Sequence, residues 1–154
     1  QQYVAIMVGY GGAFPLTAAF DDPRDARNGR LLVFKLGGKG ALPKATEPVF
    51  AAANPPSDAF TPEQVAEGGK IYSANCAFCH GPDAHASGIL PDLRRSGVLT
   101  DAAAWKAVVH DGALKANGMI AFSRWYTPAQ VEAVRGYVGS QAKKLQALEA
   151  AGGK

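Results

Sequence analysis

Cysteine is scarce in this sequence, since only Cys76 and Cys79 occur among its 154 residues. Two thiols this close together exclude a disulfide framework, which needs further cysteines elsewhere. Long apolar runs are also missing, because none approaches the ~20 residues that a membrane-spanning helix requires. The first residues, Gln1 to Tyr3, have neither the basic nor the apolar region of a signal peptide. We therefore predict no membrane span.

The net charge is small. The sequence has 16 basic and 13 acidic side chains, which give a formal charge of +3. It contains no basic cluster of the size that nucleic acids or anionic membranes require, so we expect neither as a partner. An apolar fraction of 47% is ordinary for a globular protein, while 18 glycines and 10 prolines indicate long loops.

Both cysteines lie in one pentapeptide, Cys76 to His80, with the sequence Cys-Ala-Phe-Cys-His. This C-x-x-C-H pattern is typical of c-type haem attachment, in which each thiol adds to a vinyl group and the histidine becomes the proximal iron ligand. A zinc site would need two further ligands at finger-like spacing, and only His85 and His110 remain. A thioredoxin-like dithiol would need a surrounding βαβ pattern, which is absent. We predict one covalent haem c per chain, with a redox dithiol as the alternative.

The N-terminal part of the chain has the pattern of strands. Residues 3–8 and 31–36 are apolar and partly β-branched, and turn-forming residues follow or precede them. An isolated pair of strands is marginal in water, so we expect the two to pair and to bury apolar faces against another surface. Residues 41–57 are rich in proline and alanine and predict an extended linker. The predicted parts are a β segment at 1–40, this linker, and a helical domain at 58–154.

Three segments of the C-terminal part predict helices. Thr61 and Thr127 each precede a proline and stand three residues before a glutamine, a pattern that predicts a capping box with proline in the first turn. The first of these helices should end near Asn75, and a shorter helix should begin at Thr100–Asp101. Glycine inside a helix costs about 1 kcal/mol relative to alanine. The Gly68–Gly69 pair therefore predicts close approach of another helix.

Haem iron bound by one histidine has a sixth position, for which Met119, Met7, His85 and His110 are candidates. Met119 lies in a glycine-containing loop between two helices, which can fold over the far face of the haem. Met7 lies in a predicted strand, where methionine usually fills the core. His85 is too near His80 in the sequence to reach round the porphyrin, and His110 ends a helix, where a solvated or dipole-related role is common. We therefore predict Met119 as the second axial ligand.

From Thr61 onward the chain resembles a monohaem cytochrome c domain. The features that carry the resemblance are, in order, Gly68, Tyr72, the C-x-x-C-H motif, Pro91, Met119 and Tyr137. The resemblance implies that the first helix crosses the last one, with Gly68 and Tyr72 against Val134 and Tyr137. It explains why two glycines are placed inside a helix.

The resemblance also implies the haem contacts. The Pro91 carbonyl should accept a hydrogen bond from Nδ1 of His80 and so fix the imidazole tautomer. The residues expected to bind the cofactor are Cys76, Cys79, His80, Pro91, Leu93, Arg94, Trp105, Met119 and Phe122. Candidate donors to the haem propionates are Arg94, Arg95, Trp105, Trp125 and Tyr126. For Trp105 the simpler interpretation is a wall of the haem pocket.

The first forty residues resemble the tail of a pyrroloquinoline-quinone (PQQ) β-propeller, because a glycine-rich segment follows Val8 and a strand-like segment follows Gly29. Propeller tail, linker and cytochrome domain follow one another in quinohaemoprotein alcohol dehydrogenases. This resemblance implies that PQQ and calcium belong to a longer parent, since the chain lacks nearly all of a propeller. Covalent haem attachment normally takes place outside the bacterial cytoplasm. We therefore expect a periplasmic protein, either a mature product or a piece of a longer chain.

The predicted fold is mainly α, a monohaem cytochrome c fold with a short N-terminal β segment and a proline-containing linker. The expected function is single-electron transfer as the output domain of the parent enzyme, without a substrate site in this chain. The PQQ propeller would donate the electrons, and a small copper protein or another cytochrome would accept them. The expected docking surface includes Ala77, Phe78, Ile120, Ala121 and Phe122. Alternatives are an independent periplasmic electron shuttle and an open-site haem enzyme or gas sensor.

Overall fold

The computed structural model describes residues 2–8, 30–42, 49–86 and 90–152, and these are mainly helical. The strands and α-helices of this part are, in chain order, β1 (Tyr3–Val8), β2 (Arg30–Lys35), α1 (Pro62–Asn75), α2 (Ala77–His80), α3 (Ala102–Val109) and α4 (Pro128–Ala150). Short 3-10 turns lie between the helices, at Pro82–Ala84, Leu93–Arg95, Gly97–Thr100 and Lys115–Asn117. The predicted fold class is confirmed. None of the described helices is long and apolar enough to cross a membrane.

Capping boxes begin α1 and α4, as their sequences predict. The Gln64 side chain accepts a hydrogen bond from the Thr61 amide at 2.9 Å, and the Thr61 hydroxyl accepts one from the Gln64 amide at 3.3 Å. Thr127 and Gln130 form the same pair of bonds at 3.0 and 3.3 Å. Each box satisfies amides that the first helical turn leaves without partners. Between them, α3 begins at an Asp101 cap, also close to the prediction.

Helices α1 and α4 cross in direct backbone contact. A Cβ atom at Gly68 would lie 1.9 Å from the carbonyl oxygen of Ala133, so only glycine allows this approach. One turn further along α1, the rings of Tyr72 and Tyr137 are in contact, with centroids 5.1 Å apart and planes tilted by 40°. The predicted crossing and the reason for the first glycine are therefore confirmed.

The core lies where α3, α4 and the end of α1 meet. Its buried residues are Tyr72, Ala84, Leu99, Trp105, Val109, Phe122, Val131, Val134, Val138 and Ala142. The indole Nε1 of Trp105 donates to the Val131 carbonyl at 3.0 Å, which ties α3 to the first turn of α4. The indole donor of Trp105 is therefore used inside the protein.

Arg135 on α4 is a buried cation that the sequence pattern does not reveal. Its side chain is 1% exposed and pairs with Glu132 at 2.6 Å and Asp58 at 2.9 Å. It also donates to the Leu99 carbonyl at 3.0 Å, and its guanidinium lies 5.1 Å from the centre of the Phe60 ring. Glu132 and Asp58 hold the pKa of Arg135 above its ordinary value, against the effect of burial. A buried charge is tolerated here because several partners compensate it.

Strands β1 and β2 form an antiparallel pair in the register Tyr3↔Lys35 to Val8↔Arg30. The pairing is as predicted, and the second strand begins one residue earlier than expected. The expected burial of an apolar face is wrong for this structure, because most of the large apolar side chains of both strands are exposed. Met7 in particular is 89% exposed, so it does not fill a core. Two strands alone cannot cover each other's faces. The turns predicted within 9–29 lie outside the described residues.

The predicted linker is packed against the helical domain over its last part. The Ala53 amide donates to the Glu149 side chain at 3.0 Å, and the Asn54 amide donates to the Arg94 carbonyl at 3.0 Å. Pro56 is buried against Gly139, where a Cβ atom would meet its ring at 2.8 Å. These contacts show that residues 53–56 do not extend freely into solvent. Pro43 and Pro48 lie outside the described residues.

Candidate haem site

Helix α2 and its N-cap residue Cys76 place the two cysteines and the histidine on a single helical turn. Its start continues α1, since the Cys76 amide donates to the Tyr72 carbonyl at 2.8 Å, and the His80 amide donates to the Cys76 carbonyl at 2.9 Å. Residues three apart lie on one side of a helix, so both thiols can face the same group. Neither thiol is in a disulfide; Cys76 is half-buried and Cys79 is exposed. Burial, with a smaller effect of Cys79, raises the pKa of Cys76 to about 11.

His80 is buried, and its Nδ1 atom forms no hydrogen bond with any described residue. Burial lowers the pKa of His80, and the nearby Pro91 carbonyl partly opposes this shift. The hydrogen bond predicted from Nδ1 of His80 to the Pro91 carbonyl is not formed in this structure. The lowered pKa favours the neutral imidazole, which is the form that binds metals.

The chain reverses sharply after His80. Gly81 has φ +73°, and a Cβ atom there would lie 2.0 Å from the His85 carbonyl oxygen. Asp83 and Ala84 also have positive φ, at 54° and 61°, an uncommon conformation for residues other than glycine. Hydrogen bonds from α1 and α4 hold this reversal: one from Tyr72 to the Gly81 carbonyl and one from Tyr137 to Asp83, at 2.8 and 3.1 Å.

A second segment beside the site begins at Pro91 and continues as the turn Leu93–Arg95. Asp92 caps this turn by accepting from the Arg94 amide at 3.1 Å, and it also binds the Arg94 side chain at 2.9 and 2.7 Å. Leu93 packs against the core. Arg94, a predicted propionate donor, is therefore engaged with Asp92 in this structure.

Met119 follows α3 in a loop with fixed backbone geometry. Gly118 before it is left-handed, with φ +95°, and the Met119 amide donates to the Leu114 carbonyl at 3.2 Å. The Phe122 amide donates to the Val109 carbonyl at 3.0 Å, which anchors the end of the loop to the end of α3. Met119 is half-buried and packs against the core. Of the two methionines, this one packs against the core that Cys76 also contacts, whereas Met7 is on the exposed sheet.

The remaining candidates have other partners. His110 caps the C-terminus of α3, and its Nδ1 lies 2.5 Å from Asp111. The Tyr126 hydroxyl accepts from Asn75 at 2.8 Å. Trp125 is exposed, with the guanidinium of Arg124 6.0 Å from its ring centre. Arg95 pairs with Glu149 at 2.5 Å.

The predicted residues that contact one common core are Cys76, Leu93, Trp105, Met119 and Phe122. Within the described part of the chain, no three His, Cys, Asp or Glu residues cluster as a bare metal site. The donor set instead fits a haem: two thiols on one turn, a buried neutral imidazole, a half-buried thioether and an aromatic wall. The fold and this site together define a cytochrome c domain.

Comparison with known proteins gives the same class. Residues 63–138 match the family model described as cytochrome c oxidase, cbb3-type, subunit III. Over nearly its whole length the chain is also similar to parts of quinone-dependent alcohol dehydrogenases. It is 39% identical over 144 residues to quinohaemoprotein alcohol dehydrogenase ADH IIB of Pseudomonas putida, covering 92% of the chain and 21% of that protein. It is 35% identical over 153 residues to the dehydrogenase subunit of an alcohol dehydrogenase (quinone) of Komagataeibacter europaeus, covering 97% and 21%.

Solved structures agree. The quinohaemoprotein alcohol dehydrogenase ADHIIG of Pseudomonas putida HK5 has a TM-score of 0.72 at 29% identity, over 94% of this chain and 21% of that one. The enzyme of Comamonas testosteroni has a TM-score of 0.61 at 24% identity, over 93% and 20%, and supports the fold alone. The chain is thus a cytochrome c domain like that of quinohaemoprotein alcohol dehydrogenases. It spans about a fifth of the length of the relatives it matches.

Proposed function

We propose that the chain binds one haem c covalently through Cys76 and Cys79, with His80 and Met119 as axial ligands. The observation that carries the proposal is the arrangement of α2 and its N-cap Cys76, where both thiols share one turn with a buried histidine. When bound, the haem supplies a one-electron ferric–ferrous couple. The role of the chain in this proposal is to hold and tune that couple.

Each surrounding residue has a task in this proposal. Trp105 and Phe122 are buried and exclude water from the pocket, and Leu93 extends the same apolar wall. Exclusion of water lowers the local dielectric and so strengthens the effect of nearby dipoles on the couple. The thioether of Met119 is a weaker donor than imidazole and favours the reduced state.

We assign the Pro91 carbonyl to the Nδ1 atom of His80, where it would orient the imidazole. Arg94 is assigned to a propionate only as a weak partner, because Asp92 already binds its guanidinium. Its positive charge is largely neutralised by that pairing.

The wider role follows from the names of the relatives. Relatives named quinohaemoprotein alcohol dehydrogenase, and one named 1-butanol dehydrogenase (cytochrome c) from Thauera butanivorans, support a parent that oxidises an alcohol. For that parent we infer a PQQ propeller with calcium. In that parent this chain would receive electrons from the quinone and pass them to a small copper protein or a cytochrome. The location would be the periplasm.

The surface proposed for the acceptor is apolar and lies beside α2 and the Met119 loop. Phe78 is 66% exposed and Ile120 is 52% exposed. Weak redox encounters use small interfaces of this kind, because the partners must separate quickly.

Acid–acetone extraction of the purified protein tests the covalent link. We expect the colour to stay with the protein, and the Cys76→Ala/Cys79→Ala double variant to be colourless or unstable. Colour that passes into the solvent from the unaltered chain contradicts the proposal. Rapid carbon monoxide binding by the reduced unaltered chain would instead favour an open-site haem enzyme.

A further inference from the structure

The Met119 loop, residues 112–126, is bound to the end of α3 by backbone hydrogen bonds. Three of its amides donate to carbonyls around the end of this helix at 2.9 to 3.1 Å: Ala113 to Ala107, Phe122 to Val109, and Ser123 to His110. The loop and the end of α3 therefore form one unit, and Met119 is part of it.

Tyr126 belongs to the same unit. Its amide donates to the Phe122 carbonyl at 3.0 Å, and the centres of the two rings lie 6.3 Å apart. The Tyr126 ring also packs against the core, next to which Met119 lies. The hydroxyl group of Tyr126 is thus held in a fixed position relative to the loop that carries the methionine.

Asn75 lies on the opposite side of the site, as the last residue of α1. It directly precedes Cys76, so it is part of the segment that carries both thiols and His80. Its side-chain nitrogen donates to the Ile71 carbonyl at 2.9 Å and to the Tyr126 hydroxyl at 2.8 Å. A carboxamide nitrogen has two N–H groups, so both bonds can form at once. The bond to its own helix limits rotation of the side chain.

The bond between Asn75 and Tyr126 therefore joins the two units that would supply the axial ligands. Iron bound by both His80 and Met119 requires that these units keep a constant separation. Apolar contacts in the core also connect them, but such contacts are non-directional and allow small displacements. A hydrogen bond weakens steeply with distance and angle, so it resists separation of the units more sharply.

We propose that Asn75 and Tyr126 are positioning residues that fasten the Met119 loop to the end of α1 and so keep Met119 on the iron. The proposal rests on the proposed function, since it assumes His80 and Met119 as axial ligands. The bond is exposed, so its main effect is on local opening of the loop and not on global unfolding.

The test measures how readily added imidazole displaces Met119 from ferric iron in the full haem-loaded chain. Loss of the far-red absorption of sulfur-bound iron gives an apparent dissociation constant. Imidazole binds only when the loop has opened, so its apparent affinity reports the open fraction. We expect Tyr126→Phe and Asn75→Ala each to tighten this affinity by about two- to tenfold, the range that corresponds to one net hydrogen bond.

The double variant tests whether the two side chains act together. Both single variants remove the same bond, so their effects should not add. The double variant should bind imidazole no more tightly than Asn75→Ala alone, which also loses the bond to Ile71. If Asn75→Ala fails to fold, Tyr126→Phe decides alone, because it loses one oxygen atom and keeps the ring that packs against the core.

Thr100→Val is the matched control. It removes another exposed hydroxyl group, which donates at 3.1 Å to the Gly97 carbonyl within a single turn, and it leaves the charge unchanged. Denaturant unfolding should show little loss of global stability in this variant and in Tyr126→Phe. The affinity for imidazole should change in Tyr126→Phe alone, which separates positioning of the loop from a general structural effect.

Unaltered imidazole affinity in Tyr126→Phe would overturn the proposal, and so would equal tightening in Thr100→Val. Additive effects in the double variant would overturn it too, because the two side chains would then act separately. An unaltered chain that lacks the far-red absorption would overturn the proposed function and this inference together. When that absorption is present, unchanged variants overturn the inference alone.

Discussion

The hydroxyl group of Tyr72 donates a hydrogen bond of 2.8 Å to the carbonyl oxygen of Gly81, the residue that follows His80. This bond joins the middle of α1 to the reversal of the chain just after α2. Both residues are buried, so water cannot replace either partner. The packing of α1 on α4 is thereby connected to the position of the histidine.

Tyr72→Phe should therefore destabilise the protein. The change leaves the Gly81 carbonyl buried without this donor, which costs about 1–3 kcal/mol. Denaturant unfolding of the haem-loaded protein measures the difference. Tyr126→Phe is the matched control, because it removes a hydrogen bond to Asn75 that is exposed. An equal loss of stability in both variants would contradict the role given to the buried hydrogen bond.

Gly68→Ala tests the crossing of α1 and α4. The added Cβ atom would lie 1.9 Å from the Ala133 carbonyl oxygen, and backbone cannot move aside as a flexible side chain can. We expect the free energy of unfolding to fall by about 1–3 kcal/mol or more, the usual cost of overpacking. In Gly97→Ala the new methyl group meets no atom within 4 Å, so little loss is expected there. A loss in Gly97→Ala as large as in Gly68→Ala would remove steric contact as the explanation.

Local chemistry explains which parts of this fold can be predicted from sequence. Thr61 and Thr127 start their helices through bonds to residues only three positions away, so the pattern contains the whole cause. The C-x-x-C-H motif is equally local. The role of Gly68 depends on a distant helix, and it could be predicted because an unfavourable helix residue requires a compensating contact.

Other features have no local cause. Arg135 looks like a solvated helix residue, and its burial depends on Asp58, 77 positions away, and on Leu99. Its nearest sequence clue is Glu132 one turn earlier. The exposure of Met7 was missed for a related reason, since an apolar strand pattern predicts a buried face but cannot say whether a covering surface is present.

Acidification should weaken the contact between the linker and α4. The Ala53 amide, together with Arg95, holds the pKa of Glu149 below its ordinary value, although partial burial opposes them. A lowered pKa in the folded state means that this stabilisation is complete above the unfolded pKa of about 4.3 and is lost as pH falls through the folded value.

Glu149→Gln should thus lower stability by about 1–2 kcal/mol at pH 7, as expected for a hydrogen bond to a charged group, with a smaller difference below pH ~4. Denaturant unfolding across this range measures the effect. Glu67→Gln replaces an exposed carboxylate on α1 and serves as the control. A difference between Glu149→Gln and the unaltered chain that stays constant with pH would contradict the prediction.

Limited proteolysis should cut the linker on the N-terminal side of Ala51. Leu36, Leu42 and Val49 are exposed, Val49 to 95%, whereas backbone groups of residues 51–54 bond to Arg94, Arg95 and Glu149. A protease needs an extended, unbonded segment, so we expect a stable red fragment that begins at or before residue 51. Mass spectrometry identifies its start. Cleavage within 52–60 would show that the linker is not part of the helical unit, and preferential cutting within 113–126 would count against the predicted domain boundary.

Met119→His tests the second axial ligand. Sulfur bound to ferric iron gives a weak charge-transfer absorption in the far red, and a thioether favours the reduced state. The variant should lose this absorption and have a lower potential, because imidazole donates more strongly and favours ferric iron. The fold should survive, since the backbone bonds from Phe122 to Val109 and from Ser123 to His110 hold the loop independently of the Met119 side chain.

Met7→Leu is the matched control for Met119→His, because it replaces the other methionine at a position that is 89% exposed on β1. It should leave both the absorption and the potential unchanged. If Met119→His also leaves them unchanged, the sixth ligand is another side chain. His110 is then the next candidate, because an imidazole held at Nδ1 by a carboxylate, here Asp111 at 2.5 Å, can still bind iron through Nε2. Asp111→Asn removes that carboxylate, so in the otherwise unaltered chain it should change the spectrum if His110 is the ligand and have no effect if Met119 is.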